Sequence, residues 1–319
     1  MMIERINEEI AQNRTFLITT HENPDGDAVG STLALASYLR GLGKEVTLYY
    51  RDALPDIYAF LPLADTVLNS IPEGKYDICF VLDVWEFSRA GKELAAFRGI
   101  GKFINIDHHL HCDHFGAINL IDSEACATGA LVYRMIRAAG QEIDYAIALC
   151  IYTAVITDTG SFRYSNANPE AFTIAGEMVA LGVNAWYVAE KLYECQPRQR
   201  LELLALALAT LEVSPRGDGA SVTVTLDMYE KSGATPELTD GFVNYLRSIR
   251  GVEVAVFFRE IEPELFKVGF RSKGTVDVAA LATAFAGGGH HNAEGCTITG
   301  TLDEVRRAVF AHLETAFKR

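Results

Sequence analysis

The chain contains no uninterrupted apolar run approaching the ~20 residues that a membrane-spanning helix requires, which excludes a transmembrane protein of that kind. Cysteine is sparse. Its six residues, Cys79, Cys112, Cys126, Cys150, Cys195 and Cys296, form no CxxC pair, so neither a disulfide framework nor a zinc ribbon is expected and the thiols should be reduced and mostly buried. Positive charge is scarce as well: 28 Lys and Arg face 42 Asp and Glu, a formal charge of -14. That balance excludes a broad electrostatic grip on long duplex nucleic acid, while short anionic substrates held by a few local cations, arginines or metal ions, stay open. The first fourteen residues are amphipathic and acidic and lack the basic start and apolar run of a secretory signal. A cytoplasmic protein is expected. No internal repeat or low-complexity tract interrupts the chain.

What is present is the composition of a folded α/β protein. At 319 residues and 35.0 kDa the chain exceeds one compact core, since single cores stop growing near ~250–300 residues, and two domains are expected. Buried strands at 15–20, 44–50, 77–84 and 102–107 alternate with helix-length segments at 26–43, 128–140 and 145–158, the pattern of a mostly parallel sheet covered on both faces. Two further helical stretches extend this unit, read as a domain over 1–193. A connecting helix is expected within 194–214. Beyond it, alternating and β-branched strands between helices near 238–249, 276–286 and 302–318 predict a smaller α/β domain over 215–319.

The chemistry-bearing residues sit at the ends of these elements. The first strand runs into THENPDGDAVGS, which places His21, Asp25 and Asp27 in a turn before a helix. The strand DICFVLD ends on Asp83, and FINID ends on Asp107, followed by His108 and His109. Asp158 closes an otherwise apolar helix, an expensive place for an acid without a partner. The carboxyl ends of parallel strands share one edge of the sheet, so these distant segments should converge there. Carboxylates and imidazoles without thiolates suit manganese or magnesium, with cobalt also acceptable and zinc or iron less favoured. Four aspartates offset two divalent cations, which suggests a two-metal site suited to in-line displacement at phosphorus. Singly, an Asp-Gly-Asp turn is most often a helix cap and a His-His pair a surface or core feature. Their joint occurrence, in order and at element ends, points to chemistry.

HENPDGDAVGS, VLD at 81–83, DHH at 107–109 and the Asp158 segment resemble the four successive motifs of the DHH phosphoesterase superfamily, and GGGHHNAEG at 287–295 resembles the signature of the accompanying DHHA1 domain. Length and layout are most similar to the bacterial nano-RNase branch, oligoribonucleases that also remove the 3'-phosphate of adenosine 3',5'-bisphosphate (pAp). By this resemblance one metal is held by His21, Asp25 and Asp83, and the second by Asp27, Asp83, His108 and Asp158, with Asp83 bridging. Asp107 orients the histidine pair, and His109 lies toward the scissile phosphate as a contact or proton donor. Gly287, Gly288 and Gly289 let phosphate oxygens approach backbone N–H groups, beside His290, His291 and Arg271 as substrate contacts. The resemblance further implies short single-stranded oligoribonucleotides, dinucleotides and pAp as substrates, held between a metal-bearing and a phosphate-reading domain, and admits a homodimer through helices of the first.

Rival readings remain. A phosphodiesterase for cyclic dinucleotides or their linear product pApA shares the two-domain core. A manganese pyrophosphatase lacks GGGH, a RecJ-type exonuclease needs an added OB-fold domain, and a nucleotide-binding sensor that has lost catalysis should show gaps among the ligands. His111, Cys112 and His114 match no common zinc spacing and are read as loop residues. Arg163 and Tyr164 follow Asp158 closely enough to line a nucleotide path, and surface or structural roles fit them equally well.

Overall fold

The computed structural model describes residues 2–273, 276, 278–285, 288–290 and 293–316. It divides into two compact units, Met1–Cys195 and Gln196–Arg319.

The first unit opens with α1 (Met2–Gln12), β1 (Thr15–Thr19), α2 (Gly26–Gly41), β2 (Glu45–Tyr49) and the short β3 (Val67–Leu68). It continues through β4 (Tyr76–Leu82), α3 (Lys92–Ala96), β5 (Ile100–Asp107), β6 (Ile118–Ile121) and α4 (Thr128–Ala138). It ends with α5 (Tyr145–Asp158), α6 (Pro169–Ala180), α7 (Ala185–Ala189) and a π-helical turn, Glu190–Glu194. The six strands form a wholly parallel sheet in the order β3-β2-β1-β4-β5-β6. Strand order therefore reverses between β1 and β4, and the crevice outside the carboxyl ends at such a reversal is where open α/β sheets bind ligands.

The continuous apolar strands follow from burial on both faces. Phe16, Ile18, Ile78, Phe80 and Leu82 pack toward the large helical layer, which includes Leu33, Leu131, Ile151 and Val155. The alternate residues Leu17, Cys79 and Val81 join a smaller cluster with Ile71, Tyr76 and Leu94. Helices α2 and α5 are apolar nearly all round because they are buried nearly all round. Their close approach depends on glycine. A Cβ on Gly30 would lie 2.6 Å from the Cys150 carbonyl oxygen and 2.9 Å from Ala154, and one on Gly26, a turn earlier, would strike Thr157. This contact brings the end of α5, with Asp158, against the start of α2, with Asp27.

The second unit comprises α8 (Arg198–Leu208), β7 (Glu212–Val213), β8 (Gly219–Val224), α9 (Leu226–Ser232), α10 (Phe242–Arg247) and β9 (Val254–Glu262). It is completed by β10 (Leu265–Ser272), α11 (Val278–Thr283), β11 (Gly288–His290), β12 (Ala293–Thr299) and α12 (Leu302–Ala316). Its sheet runs β11-β12-β10-β9-β8-β7, with β8 and β9 parallel and the other pairs antiparallel. Period-2 patterning sends Val254, Val256 and Phe258 to one face, against Val305 and Val309 of α12, and Ala255 to the other, with Val222 and Leu246.

One element differs from the sequence expectation. The stretch 194–214, read as a single connecting helix, is helical only from Arg198 to Leu208, and β7 follows. Leu203 and Ala207 are buried with Val224 and Phe242, so α8 belongs to the core of the second unit. Its apolar spacing serves that packing. No single helix among the described residues is long and apolar enough to cross a membrane.

Candidate metal centre

The carboxyl ends of β1, β4 and β5 lie side by side, and each carries its polar residues immediately beyond the last paired position. After β1, His21 is buried, and its Nδ1 donates to the Glu22 carbonyl at 2.7 Å. That bond leaves Nε2 facing Asp83 Oδ2, 3.5 Å away, as a donor on the protonated ring and as a lone pair on the neutral one. Asp25 is the N-cap of α2: its Oδ1 accepts from the backbone N–H groups of Asp27 and Ala28, both at 3.0 Å. The Asp-Gly-Asp turn is thus a cap, and Asp25 is nonetheless grouped with His21 and Asp83, their potential ligand atoms within 4.8 Å of one another.

Asp83 follows β4 with φ 61°, the left-handed region that aspartate enters more readily than most residues. Its backbone N–H still donates to the Ile106 carbonyl at 2.9 Å, and the residue is 2% exposed. Thr128 Oγ1, at the start of α4, donates to Asp83 Oδ1 at 2.9 Å. Asp27, equally buried, accepts the Thr128 N–H on Oδ2 at 2.6 Å and the Gly129 N–H on Oδ1 at 2.9 Å. It therefore caps α4 from a different element, where the N-cap residue Ala127 has no side chain able to do so.

His108 and His109 divide their roles. His108 Nδ1 donates to the Ala125 carbonyl at 3.1 Å, and Nε2 faces Asp27 at 3.7 Å, Asp83 at 3.8 Å and Asp158 at 3.6 Å. These separations are too long for hydrogen bonds and fit donors on either side of an ion, since twice a metal–ligand bond of ~2.1 Å is ~4.2 Å. Asp27, His108 and Asp158 form a second compact ligand group, and Asp83, His108 and His109 a third. Asp107, fully buried, accepts from His109 Nδ1 at 2.5 Å and from the backbone N–H groups of both histidines. The expectation that Asp107 orients the pair needs correcting in one respect: it fixes the ring of His109, whereas the ring of His108 is fixed by Ala125, because Nδ1 of His108 points toward the loop before α4. Asp107 Oδ2 is buried with no hydrogen-bond partner among the described residues.

The electrostatics are those of a buried acid cluster flanked by imidazoles. Burial, together with the charges of Asp83 and Asp158, holds Asp27 well above the ordinary carboxylate range. Asp158 is pushed up to about 7 by burial, reinforced by Asp25 and Asp83 and opposed by His108. Asp83 goes the other way: burial would raise it, but the hydrogen bond from His21 and the charges of His109 and His108 prevail and lower it. For His109, burial is outweighed by the hydrogen bond to Asp107 and by Asp83, giving about 9. His21 is raised for the same kind of reason, burial being overcome by Asp83 and Asp25.

Several contributors carry no motif signal in the sequence. Thr128 and the Ala125 carbonyl are such cases, as is Asn166, whose Nδ2 donates to Asp158 Oδ2 at 2.8 Å and to the Cys126 carbonyl at 2.9 Å. Arg163 folds back onto the Gly160 carbonyl at 2.6 Å, and the Tyr164 ring covers Gly160. His111 and His114 join none of the ligand groups among the described residues, and Cys112 Sγ accepts from Asn105 at 3.2 Å.

In the second unit, β11 pairs His290 with Ala293, and β12 pairs Ala293 with Arg271. The backbones of His290 and Arg271 thus occupy one row across three strands, about 10 Å apart. Gly288 and Gly289 lie in the same short strand; Gly287 and His291 are outside the described residues. Arg271 Nη1 donates to the Phe270 carbonyl at 2.9 Å.

Residues 15–155 match the model of the DHH family, N-terminal domain, and residues 219–318 that of the DHHA1 domain. The bifunctional oligoribonuclease and PAP phosphatase NrnA of Thermus thermophilus is 34% identical over 297 residues, 92% of this chain and 87% of that protein. The chain belongs to the DHH family. Within it, the Bacillus subtilis protein of the same name is 30% identical over 307 residues, covering 95% of both chains. A solved structure, of an exopolyphosphatase-related protein from Bacteroides fragilis, superimposes with a TM-score of 0.91 at 30% identity, covering 99% of this chain and 95% of that one. The DHH and DHHA1 matches fall one in each compact unit, and the DHH match contains every candidate ligand described above except Asp158, at the end of α5, which lies three residues beyond it.

Proposed function

We propose that this protein is a metal-dependent phosphoesterase that hydrolyses short oligoribonucleotides to mononucleotides and removes the 3'-phosphate of pAp. The observation that carries the proposal is the convergence of two histidine Nε2 atoms on Asp27, Asp83 and Asp158, with both opposite Nδ1 atoms tied to backbone carbonyls. That arrangement presents lone pairs and carboxylate oxygens to a common space, the donor chemistry of divalent cations. Names of relatives at 30–34% identity support the substrates.

His21, Asp25 and Asp83 would hold one ion and Asp27, Asp83, His108 and Asp158 the other, with Asp83 common to both. The oxygen-rich set favours manganese, with magnesium or cobalt as substitutes. When bound, such ions lower the pKa of water and neutralise charge building up on the phosphate. His109 contributes separately: its Nδ1 is committed to Asp107, a hydrogen bond that favours the protonated ring, and it would donate to the departing oxygen. In the second unit, Arg271 and His290 would take the terminal phosphate of the substrate, with the backbone N–H groups of the glycine segment beside them.

The test is a product time course in manganese on three substrates in parallel: RNAs of two to five nucleotides, pAp, and cyclic di-AMP with linear pApA. Conversion of short RNAs and pAp with the cyclic dinucleotide intact is expected. Preferential ring opening would overturn the substrate assignment and leave the metal chemistry standing; pAp binding without phosphate release would overturn the hydrolase.

A further inference from the structure

Arg89 lies in the loop that follows β4 and is fastened to the metal-side loop through its own carbonyl, which accepts from the Glu22 N–H at 2.9 Å. Its guanidinium carbon is 3.5 Å from the centre of the Trp85 ring, and the Trp85 ring is 5.1 Å from the ring of His109. A single indole thus separates this cation from the group proposed to donate the proton. Arg89 Nη1 is buried and has no hydrogen-bond partner among the described residues, an arrangement that costs free energy unless something else fills it.

The nearby carboxylates are already engaged. Those that act most strongly on Arg89 include Glu22, Asp83, Asp25 and Glu86. Glu22 forms an ion pair with Arg51, Glu86 accepts from Ser88 Oγ at 2.7 Å, and Asp25 and Asp83 belong to the ligand set. Four site aspartates against two divalent cations already sum to zero and Glu22 is offset by Arg51; Glu86 is left, and it forms no ion pair with Arg89 among the described residues, so the Arg89 cation is not committed to a partner carboxylate. A phosphate arriving as substrate would use it. An internal phosphodiester brings one negative charge, whereas a terminal phosphomonoester carries nearly two at neutral pH. The additional cation therefore matters more for the monoester.

We propose that Arg89, placed over the Trp85 ring, is the phosphate contact that fits this centre to terminal phosphomonoesters as well as to internal phosphodiesters. The proposal rests on the phosphoesterase function above and names the residue that sets the balance between its two reactions. Arginine suits the role because its planar fork stacks on an aromatic face while its N–H edge still engages phosphate oxygens in pairs. Lysine in its place would keep the charge and lose the stacking and the fork.

The experiment compares wild type, Arg89→Lys and Arg89→Ala, all loaded with manganese, on pAp and on the dinucleotide pApA, with bound manganese counted for each. For Arg89→Ala, kcat/KM on pAp should fall about 100-fold, as for loss of one preorganised charge-stabilising donor, and on pApA about 10-fold or less. Added guanidinium at a non-denaturing concentration should restore part of the pAp activity, and Arg89→Lys should fall between. Equal losses on the two substrates without guanidinium rescue, or a lowered manganese count in both variants, would make Arg89 a structural residue and overturn the proposal. Wild type active on neither substrate would instead sink the phosphoesterase assignment on which it rests.

Discussion

Asp27 Oδ1 accepts the backbone N–H of Gly129 at 2.9 Å, joining two residues 102 positions apart and making one carboxylate both the cap of helix α4 and a member of the acid cluster. The same residue that should hold an ion also secures the helix whose first side chain, Thr128, bonds Asp83. Ligand geometry and helix position are therefore set together.

Replacing Asp27 with Ala should cost the metal-free protein about 2 kcal/mol, since two buried backbone N–H groups lose their acceptor. Urea unfolding in the presence of a chelator measures it. An unchanged midpoint would show that the capping bonds contribute nothing to stability.

The metal-free fold should lose stability as pH rises from about 6 to 9, above the range in which Asp83, whose pKa is lowered, acts with the opposite sign. The folded pKa of Asp27 and Asp158 lies above the unfolded value, and so does that of His109. The folded chain then binds more protons than the unfolded one across that range, and each such group contributes stability that disappears as pH passes its folded pKa. Manganese should reverse the trend and release protons on binding. Thermal melts with and without metal, and calorimetry in two buffers of different ionisation enthalpy, test both signs; a metal-free Tm that climbs toward pH 8 would contradict them.

Asp158→Asn separates stability from function. Asparagine removes a charge that is costly to ionise in the fold, so at pH 8 the metal-free variant should melt above wild type while gaining less from manganese. The Asn166 Nδ2 donor still meets an oxygen at that position. A variant that melts lower without metal would mean that the ionised carboxylate stabilises the fold.

Asp83→Ala should abolish turnover on every substrate, a loss of at least about 1,000-fold, because the proposed bridge between both ions is gone. Manganese stoichiometry and product release are the readouts. Substantial activity retained in manganese would remove Asp83 from the shared position.

Gly30→Ala probes how packing serves the site. The new Cβ would lie 2.6 Å from the Cys150 carbonyl, so α2 and α5 must separate. A loss of about 1–3 kcal/mol is expected, with weaker manganese binding as Asp158 moves away from Asp27. Retained wild-type affinity with lowered stability would show that the site tolerates the shift.

The parallel first domain, the second α/β domain and the position of every strand-end acid and imidazole were legible in the sequence, because doubly buried strands leave continuous apolar runs and polar residues at their carboxyl ends interrupt them. The extent of α8 was less legible, since apolar spacing looks the same whether a helix bridges two domains or packs into one. Tertiary structure alone decided that Ala125 rather than Asp107 orients His108, that Thr128 and Asn166 support the acids, that Asp27 caps a helix 101 residues away and that Arg89 lies on Trp85 beside His109. These contacts join segments whose separation along the chain carries no information about their separation in space. They exist because the strand order reverses between β1 and β4 and because glycine allows α2 and α5 to meet, and neither of those is local to the residues that use them.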